Sequence, residues 1–278
     1  MRNHVLLAQC SDEVGLISKI AQTLYQLKLN IIEMKEHVDQ ESNVFYMRCE
    51  FQGEADLEKI KNLLTPQLPT DAKISVNPKS KKDIIVFATK EHHCLSDILI
   101  RHYFGELNAD IKCIVSNHES LRDIVEKFGL DFRHVPHQDK TKEQFESDCL
   151  AAIKDFSVDY LVLAKFMRIL SPDFVSRFSS RIINIHHSFL PAFIGANPYK
   201  QAFDRGIKLI GATAHFVTNQ LDEGPIITQQ TIKVDHSYSA EDMKVSGREI
   251  ERFVLAQALK HVFDDRVFVT GNKTVVFE

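Results

Sequence analysis

The chain of 278 residues carries a net charge of −4; that length exceeds the usual span of one core and favours two domains, and the acidic balance argues against nonspecific binding to nucleic acid or an anionic membrane. Five cysteines, Cys10, Cys49, Cys94, Cys113 and Cys149, lie without C-x-x-C spacing and in odd number, which suits buried thiols in a reducing compartment. The opening residues have too short an apolar run for a signal peptide, and no stretch approaches the roughly 20 apolar residues a bilayer requires, so a cytoplasmic protein is expected.

In chain order, His4–Ala8 is an apolar strand candidate. Ser11-Asp12 then offers a cap for a helix whose apolar face runs through Val14, Ile17, Ile20 or Ala21, Leu24 and Leu27. Alternation through Ile32, Met34 and Val38, a polar turn, and alternation through Phe45, Met47, Cys49 and Phe51 predict a hairpin with one buried face. A second helix through Leu57, Ile60, Leu63 and Leu64 and a strand over Lys73–Val76 complete a β-α-β-β-α-β order. Asn77-Pro78-Lys79-Ser80-Lys81-Lys82 is polar, basic and broken by Pro, the composition of a linker.

That order, with Cys10-Ser11-Asp12-Glu13-Val14-Gly15-Leu16, resembles an ACT domain, a small regulatory fold that pairs through its sheets and binds amino acids. The resemblance makes Asp12 and Gly15 an effector-site candidate and implies a homo-oligomer. From the residues alone, Asp12 caps the helix and Gly15 permits close packing of helix on strand. ACT domains commonly place Pro before that Asp, where Ser11 stands here.

Beyond the linker, strand and helix patterns alternate: strands over Asp83–Ala88, Ile111–Val115, Phe132–Val135 and Tyr160–Ala164, helices over Leu95–Tyr103, Ser120–Phe128 and Lys142–Phe156. Such alternation predicts a doubly wound, mostly parallel α/β sheet covered on both faces. A further strand over Ile226–Val234, a helix over Glu241–Val262 and a hairpin of Arg266–Val269 with Lys273–Phe277 follow. Arg248 and Glu249 on that helix read as surface charges. The domains are expected at 1–78 and 84–278 with a linker at 79–83.

The turn Thr89–Cys94 holds no glycine, so it offers neither a dinucleotide fingerprint nor a phosphate cradle. His92 and His93 are adjacent and would point apart, as would His186 and His187, and no metal is expected at these pairs. Arg181-Ile182-Ile183 leads as a buried strand into Asn184-Ile185-His186, placing an amide and an imidazole at a strand's carboxyl end, where open α/β sheets form their ligand crevice. Asn184 and His186 can donate to an oxyanion, and Asp222, before Gly224-Pro225, can accept from water and relay a proton. Phe166, Met167, Arg168, Ile169 and Leu170 offer an apolar wall for a flat heteroaromatic ligand or, alternatively, core packing. His215 is either a substrate-binding group or a satisfied strand histidine.

Asn184-Ile185-His186, Leu190-Pro191, Gly195-Ala196, the Gly-x-Thr-x-His-Phe-Val around His215 and Asp222-x-Gly224 resemble the folate-dependent formyltransferase superfamily. With the ACT-like front, His93-Cys94-Leu95, Gly105-Glu106-Leu107, Ser116-Asn117-His118 and Gly271-Asn272-Lys273-Thr274 are similar to its formyltetrahydrofolate deformylase family. Asn197 stands where that family is expected to carry Lys. The resemblance implies hydrolysis of 10-formyltetrahydrofolate to formate and tetrahydrofolate, supplying formate for purine synthesis and balancing one-carbon pools. It implies a catalytic trio of Asn184, His186 and Asp222, folate as substrate, and no separate cofactor. Competing expectations are a formyltransferase of the glycinamide ribonucleotide type, whose phosphorylated acceptor needs a Gly/Ser-rich turn, and a noncatalytic folate or amino-acid sensor.

Overall fold

The computed structural model describes residues 3–78, 81–191 and 198–278. The chain divides into two compact units, Met1–Ser80 with Asp265–Phe268 and Val275–Glu278, and Lys81–Asp264 with Val269–Thr274. Lys82, expected in the linker, is a strand residue, as is Asp83, on which the linker and strand expectations overlapped, while Lys79 and Ser80 lie outside the described residues. Gly195, Ala196 and Asn197 do too.

The first unit orders β1 (Asn3–Ser11), α1 (Leu16–Gln26), β2 (Asn30–Asp39), β3 (Val44–Gln52), α2 (Leu57–Leu64) and β4 (Lys73–Val76) into an antiparallel sheet β2-β3-β1-β4. Its core joins Leu6, Ala8 and Cys10 of β1 and Phe45, Met47, Cys49 and Phe51 of β3 to the inward faces of both helices. The start of α1 differs from the expected one. Gly15, at φ 94°, is the N-cap, without a side-chain cap, and a Cβ there would touch nothing within 4 Å; the left-handed backbone, rather than close packing, is what calls for glycine. Asp12 lies before the cap, its N–H donating to Asn43 O. The buried face therefore runs through Leu16, Ile20, Thr23 and Leu24, leaving Val14 and Ile17 exposed.

The expectation of one buried face on the β2–β3 hairpin also fails for β3. Tyr46 and Arg48, on its other face, are buried as well. Part of the cover comes from Phe268, which belongs to the same unit and lies in the closing hairpin of β12 (Val267–Thr270) and β13 (Lys273–Val276); its ring meets Tyr46 edge-on at 5.5 Å.

The second unit is built on a seven-stranded sheet in the order β11-β10-β9-β8-β5-β6-β7. Its strands are β5 (Lys82–Ala88), β6 (Ala109–Ser116), β7 (Phe132–His134), β8 (Tyr160–Leu163), β9 (Ile182–His186), β10 (Leu209–Phe216) and β11 (Ile226–Lys233). The five strands β5 to β9 pair in parallel, and β10 runs antiparallel to both neighbours. Ile84–Ala88 is almost wholly buried, as an apolar run in a sheet covered on both faces must be. The helices are α3 (His93–Tyr103), α4 (Arg122–Lys127, after a 3-10 turn), α5 (Lys142–Ile153), α6 (Pro172–Arg177), α7 (Pro198–Asp204) and α8 (Ala240–Phe263). From β5 the chain winds outward through β6 and β7, then returns to place β8 on the other side of β5. The topological switch point thus lies between β5 and β8, where open α/β sheets hold their ligands. Among the described residues, no helix is long and apolar enough to cross a membrane.

Candidate active site

Side chains alternate along a strand, so Asn184 and His186 of β9 share a face. The antiparallel register sets His215 of β10 opposite Asn184 and Thr213 opposite His186. His215 donates its Nδ1–H to Phe216 O at 2.9 Å. Its Nε2 is then an acceptor and receives Asn184 Nδ2–H at 3.2 Å. Burial pushes the His215 pKa down, which keeps that acceptor lone pair available. Of the two expectations for His215, a substrate-binding group or a satisfied strand histidine, its 2% exposure and its two hydrogen bonds fit the second, with its Nε2 orienting Asn184.

Asp222 joins this face from the turn after β10. It adopts a left-handed φ of 58°. Gly224 packs so closely that a Cβ there would fall 1.7 Å from Phe216 O, so the turn is pinned against the strand end. Asp222 Oδ1 lies 3.3 Å from His186 Nδ1 and 3.8 Å from His215 Nε2. Partial burial raises the Asp222 pKa, but the His186 hydrogen bond and the surrounding imidazoles outweigh it and hold the carboxyl below its usual range. His186 Nε2, by contrast, is buried without a hydrogen-bond partner. A buried ring nitrogen left unpartnered beside a bonded carboxylate is arranged to receive something the folded chain does not supply.

The 164–170 loop only partly matches the apolar wall expected there. Lys165 and Met167 are both left-handed, at φ 62° and 57°, and the chain turns Phe166 inward. Phe166 stacks on Phe145 and meets Phe87 edge-on at 5.2 Å, so it is core and offers no surface to a ligand. Leu170 packs against the same cluster. Met167 and Ile169 are exposed, as is Arg168, whose guanidinium lies 5.5 Å from the Phe145 ring centroid. Buried carboxylates clamp the loop at both ends: Lys165 Nζ donates to Glu251 at 2.9 Å, and Ser171 donates to Glu146 through N–H at 2.6 Å and through its hydroxyl.

Glu251 anchors a cluster that no sequence pattern foretold. Its Oε2 accepts from His93 Nε2 at 2.8 Å, and its Oε1 from Lys165 Nζ and from Tyr199 OH at 2.6 Å. Tyr199 reaches it over Gly247, where a Cβ would strike the Tyr199 ring at 2.2 Å. Burial raises the Glu251 pKa, yet its three donors and the Lys165 charge outweigh that and bring it down to about 2. One signal was available. On α8, Glu251 follows Gly247 by four residues and precedes Val254 by three, a carboxylate on an otherwise buried face.

His93, Cys94 and Glu251 bring their ligand atoms within 4.8 Å of one another, a gathering not expected from sequence. It is a poor metal site. Both Glu251 oxygens already accept protein donors, the Lys165 ammonium occupies the position of a cation, and burial pushes the Cys94 thiol well above its usual pKa. His187 stacks on His186 at 5.0 Å, and burial lowers its pKa to about 4, helped by Lys165 and His186. Two cavities border it: one of about 350 Å³ lined by Phe189, Tyr199, Ile207 and Leu209, and one of about 300 Å³ lined by His93, Lys165, Met167, Lys244, Arg248 and Glu251.

A strand-end Asn and His with an Asp on the adjoining turn, at the end of a mostly parallel sheet, form an arrangement suited to formyl transfer. Residues 82–259 match the formyl transferase family model, and residues 4–65 match the ACT domain model. Formyltetrahydrofolate deformylase of Haemophilus influenzae is 46% identical over 98% of this chain and 98% of its own length. That of Escherichia coli K12 is 45% identical over 99% of each. Among solved structures, a formyltetrahydrofolate deformylase from Pseudomonas syringae pv. tomato is 40% identical with a TM-score of 0.92, covering 100% of this chain and 95% of that one. Glycinamide ribonucleotide transformylase 1 from Symbiobacterium toebii is 26% identical with a TM-score of 0.68, covering 72% of this chain and 96% of that one. The chain belongs to the formyltetrahydrofolate deformylase family.

Proposed function

We propose that the protein hydrolyses 10-formyltetrahydrofolate to formate and tetrahydrofolate, supplying formate for purine synthesis. The observation that carries this reading is the buried, unpartnered Nε2 of His186, whose Nδ1 faces Asp222 beside the oriented amide of Asn184. Water attacks the formyl carbon, and the carbonyl electron pair moves to oxygen. In its imidazolium form His186 donates Nδ1–H to Asp222 and Nε2–H to that oxyanion, with Asn184 supplying a second donor; one such donor is worth on the order of 3 kcal/mol. Asp222 takes a proton from the attacking water and relays it to the leaving nitrogen as the C–N bond breaks. Neither a covalent intermediate nor a further cofactor enters.

The end-to-end likeness to deformylases, against partial coverage by the transformylase, favours water over an amine as acceptor. The test is purified full-length protein with 10-formyltetrahydrofolate and no acceptor. Stoichiometric formate is expected, and faster formyl transfer to glycinamide ribonucleotide than to water would overturn the reading.

The first unit is proposed to assemble the chain into a homo-oligomer and to hold a small amino acid at the Asp12–Gly15 turn. Edge strand β2 and the exposed Val14 and Ile17 support the assembly. A full-length chain with a monomeric solution mass refutes it, and turnover that is flat across a panel of free amino acids removes the effector role.

A further inference from the structure

In the antiparallel registers, His186 of β9 stands opposite Thr213 of β10, and Thr213 stands opposite Gln229 of β11, so the three side chains share a face. Thr213 is completely buried, and its hydroxyl is used to capacity. It donates to Ser188 O at 2.9 Å and accepts from Leu190 N–H at 3.1 Å and from Gln229 Nε2 at 2.8 Å. Gln229 Nε2 also donates to Leu190 O at 3.0 Å. A carbonyl only accepts, which fixes the end of the Gln229 amide that is nitrogen. Thr213 and Gln229 thus grip the backbone of Ser188 and Leu190, just after β9 ends at His186. Neighbours in a strand point to opposite faces, yet the rings of His186 and His187 stack at 5.0 Å with 24° between their planes. The chain leaves strand geometry at His187 because Ser188 O and both backbone groups of Leu190 are tied to β10 and β11. Burial, helped by the charges of Lys165 and His186, brings the His187 pKa down to about 4, so near neutral pH it lays an uncharged ring on His186.

We propose that Thr213 and Gln229 are positioning residues for the reaction: by clamping the turn at Ser188 and Leu190 they hold the His187 ring against His186, and that stack fixes the direction in which His186 presents Nε2. This deepens the deformylase reading and rests on it. The His186 ring is otherwise steered at one atom, Nδ1, by Asp222 at 3.3 Å, while its Nε2 has no hydrogen-bond partner. A single contact leaves an imidazole free to swing about it, and a flat ring alongside removes that freedom. A hydrogen bond to a developing oxyanion depends on angle as well as distance, and a misplacement of about 1 Å can cost on the order of a hundredfold in rate. Neither Thr213 nor Gln229 touches the substrate or exchanges a proton, so the chemical steps stay as written above.

The test measures kcat, KM and melting temperature with 10-formyltetrahydrofolate in the full-length protein and its variants. Thr213→Val keeps the shape and removes the hydroxyl; it is expected to lower kcat by about tenfold or more while KM holds. Thr213→Ser returns the hydroxyl and is expected to recover most of that loss. Wild-type kcat in Thr213→Val, whatever its melting temperature, marks a contact that only stabilises the fold and overturns the proposal, as does a loss that Thr213→Ser shares in full. Should Thr213→Val fail to fold, Gln229→Leu decides, because Gln229 is only half-buried and the change removes both of its donated bonds: a fall in kcat at constant KM supports the proposal, and an unchanged kcat overturns it. His187→Ala tests the route. Its loss and that of Thr213→Val should overlap in the double variant; an undiminished rate in His187→Ala, or losses that multiply in full, overturns the proposal. An unsubstituted protein that releases no formate defeats the deformylase reading itself, an outcome distinct from these.

Discussion

Among the described residues of the second unit, two buried histidines, His93 and His186, each face a carboxylate, and the pairs differ in how completely that carboxylate is satisfied. Glu251 sits in the middle of α8 with three donors on its two oxygens. Asp222 sits on a left-handed turn with one imidazole at 3.3 Å and another at 3.8 Å. His93 faces its carboxylate with Nε2 and keeps Nδ1 unpartnered; His186 does the reverse. A saturated carboxylate is fixed in charge and place and serves as a fulcrum, whereas an undersatisfied one can take up and release a proton. The same pair of side chains thus does two kinds of work, decided by the number of further donors around the carboxylate.

Substitution at the saturated centre should cost the most. Glu251→Gln leaves the Lys165 ammonium without its counter-charge, a loss of ~3 to 5 kcal/mol, and the melting temperature should fall by roughly 10 °C. A Glu251→Gln protein melting with the wild type would erase the distinction between the two centres. At the other centre the loss should be of rate. Asp222→Asn and His186→Ala should each lower kcat by on the order of a hundredfold with little change in melting temperature. A near-normal rate in either variant removes that residue from the mechanism.

The smallest effect is in acid. His187 has a folded pKa of about 4 against 6.5, and Glu251 one of about 2 against 4.5. Both groups bind a proton less readily folded than unfolded, so falling pH favours the unfolded chain. The His187 contribution is complete above 6.5 and gone by about 4, and that of Glu251 is complete above 4.5 and gone by about 2. Denaturant midpoints should therefore fall in two overlapping stages, and His187→Phe should remove the upper one. Identical profiles for His187→Phe and the wild type between pH 7 and 5 would show that the upper stage belongs to other groups.

What the sequence disclosed follows from how local each signal is. Ile84–Ala88 announces a buried strand by itself, and Asn184 with His186 announces a site because two polar residues follow Ile182-Ile183 at strand spacing. The role of His215 depends on its antiparallel register with Asn184, which no local pattern encodes. The Glu251 cluster draws on positions 93, 165, 199 and 251, too far apart for any spacing rule. Helices α6 and α7 span six and seven residues, too short to show a helical period, although Ser171-Pro172 is a start signal that was available. The face of α1 is misphased by a cap sought at Ser11-Asp12, because the true cap, Gly15, signals through its backbone and carries no side chain to read.

The cover that Phe268 gives Tyr46 has a meaning for the order in which the chain is made. Strand β3 leaves the ribosome early, yet the aromatic partner of its second face is encoded more than 200 residues later, a delay on the order of tens of seconds at ordinary rates of translation. Through that interval the ACT-like sheet can bury the helix side of its core while Tyr46 waits in contact with water or a chaperone. The first domain begun is among the last to be finished.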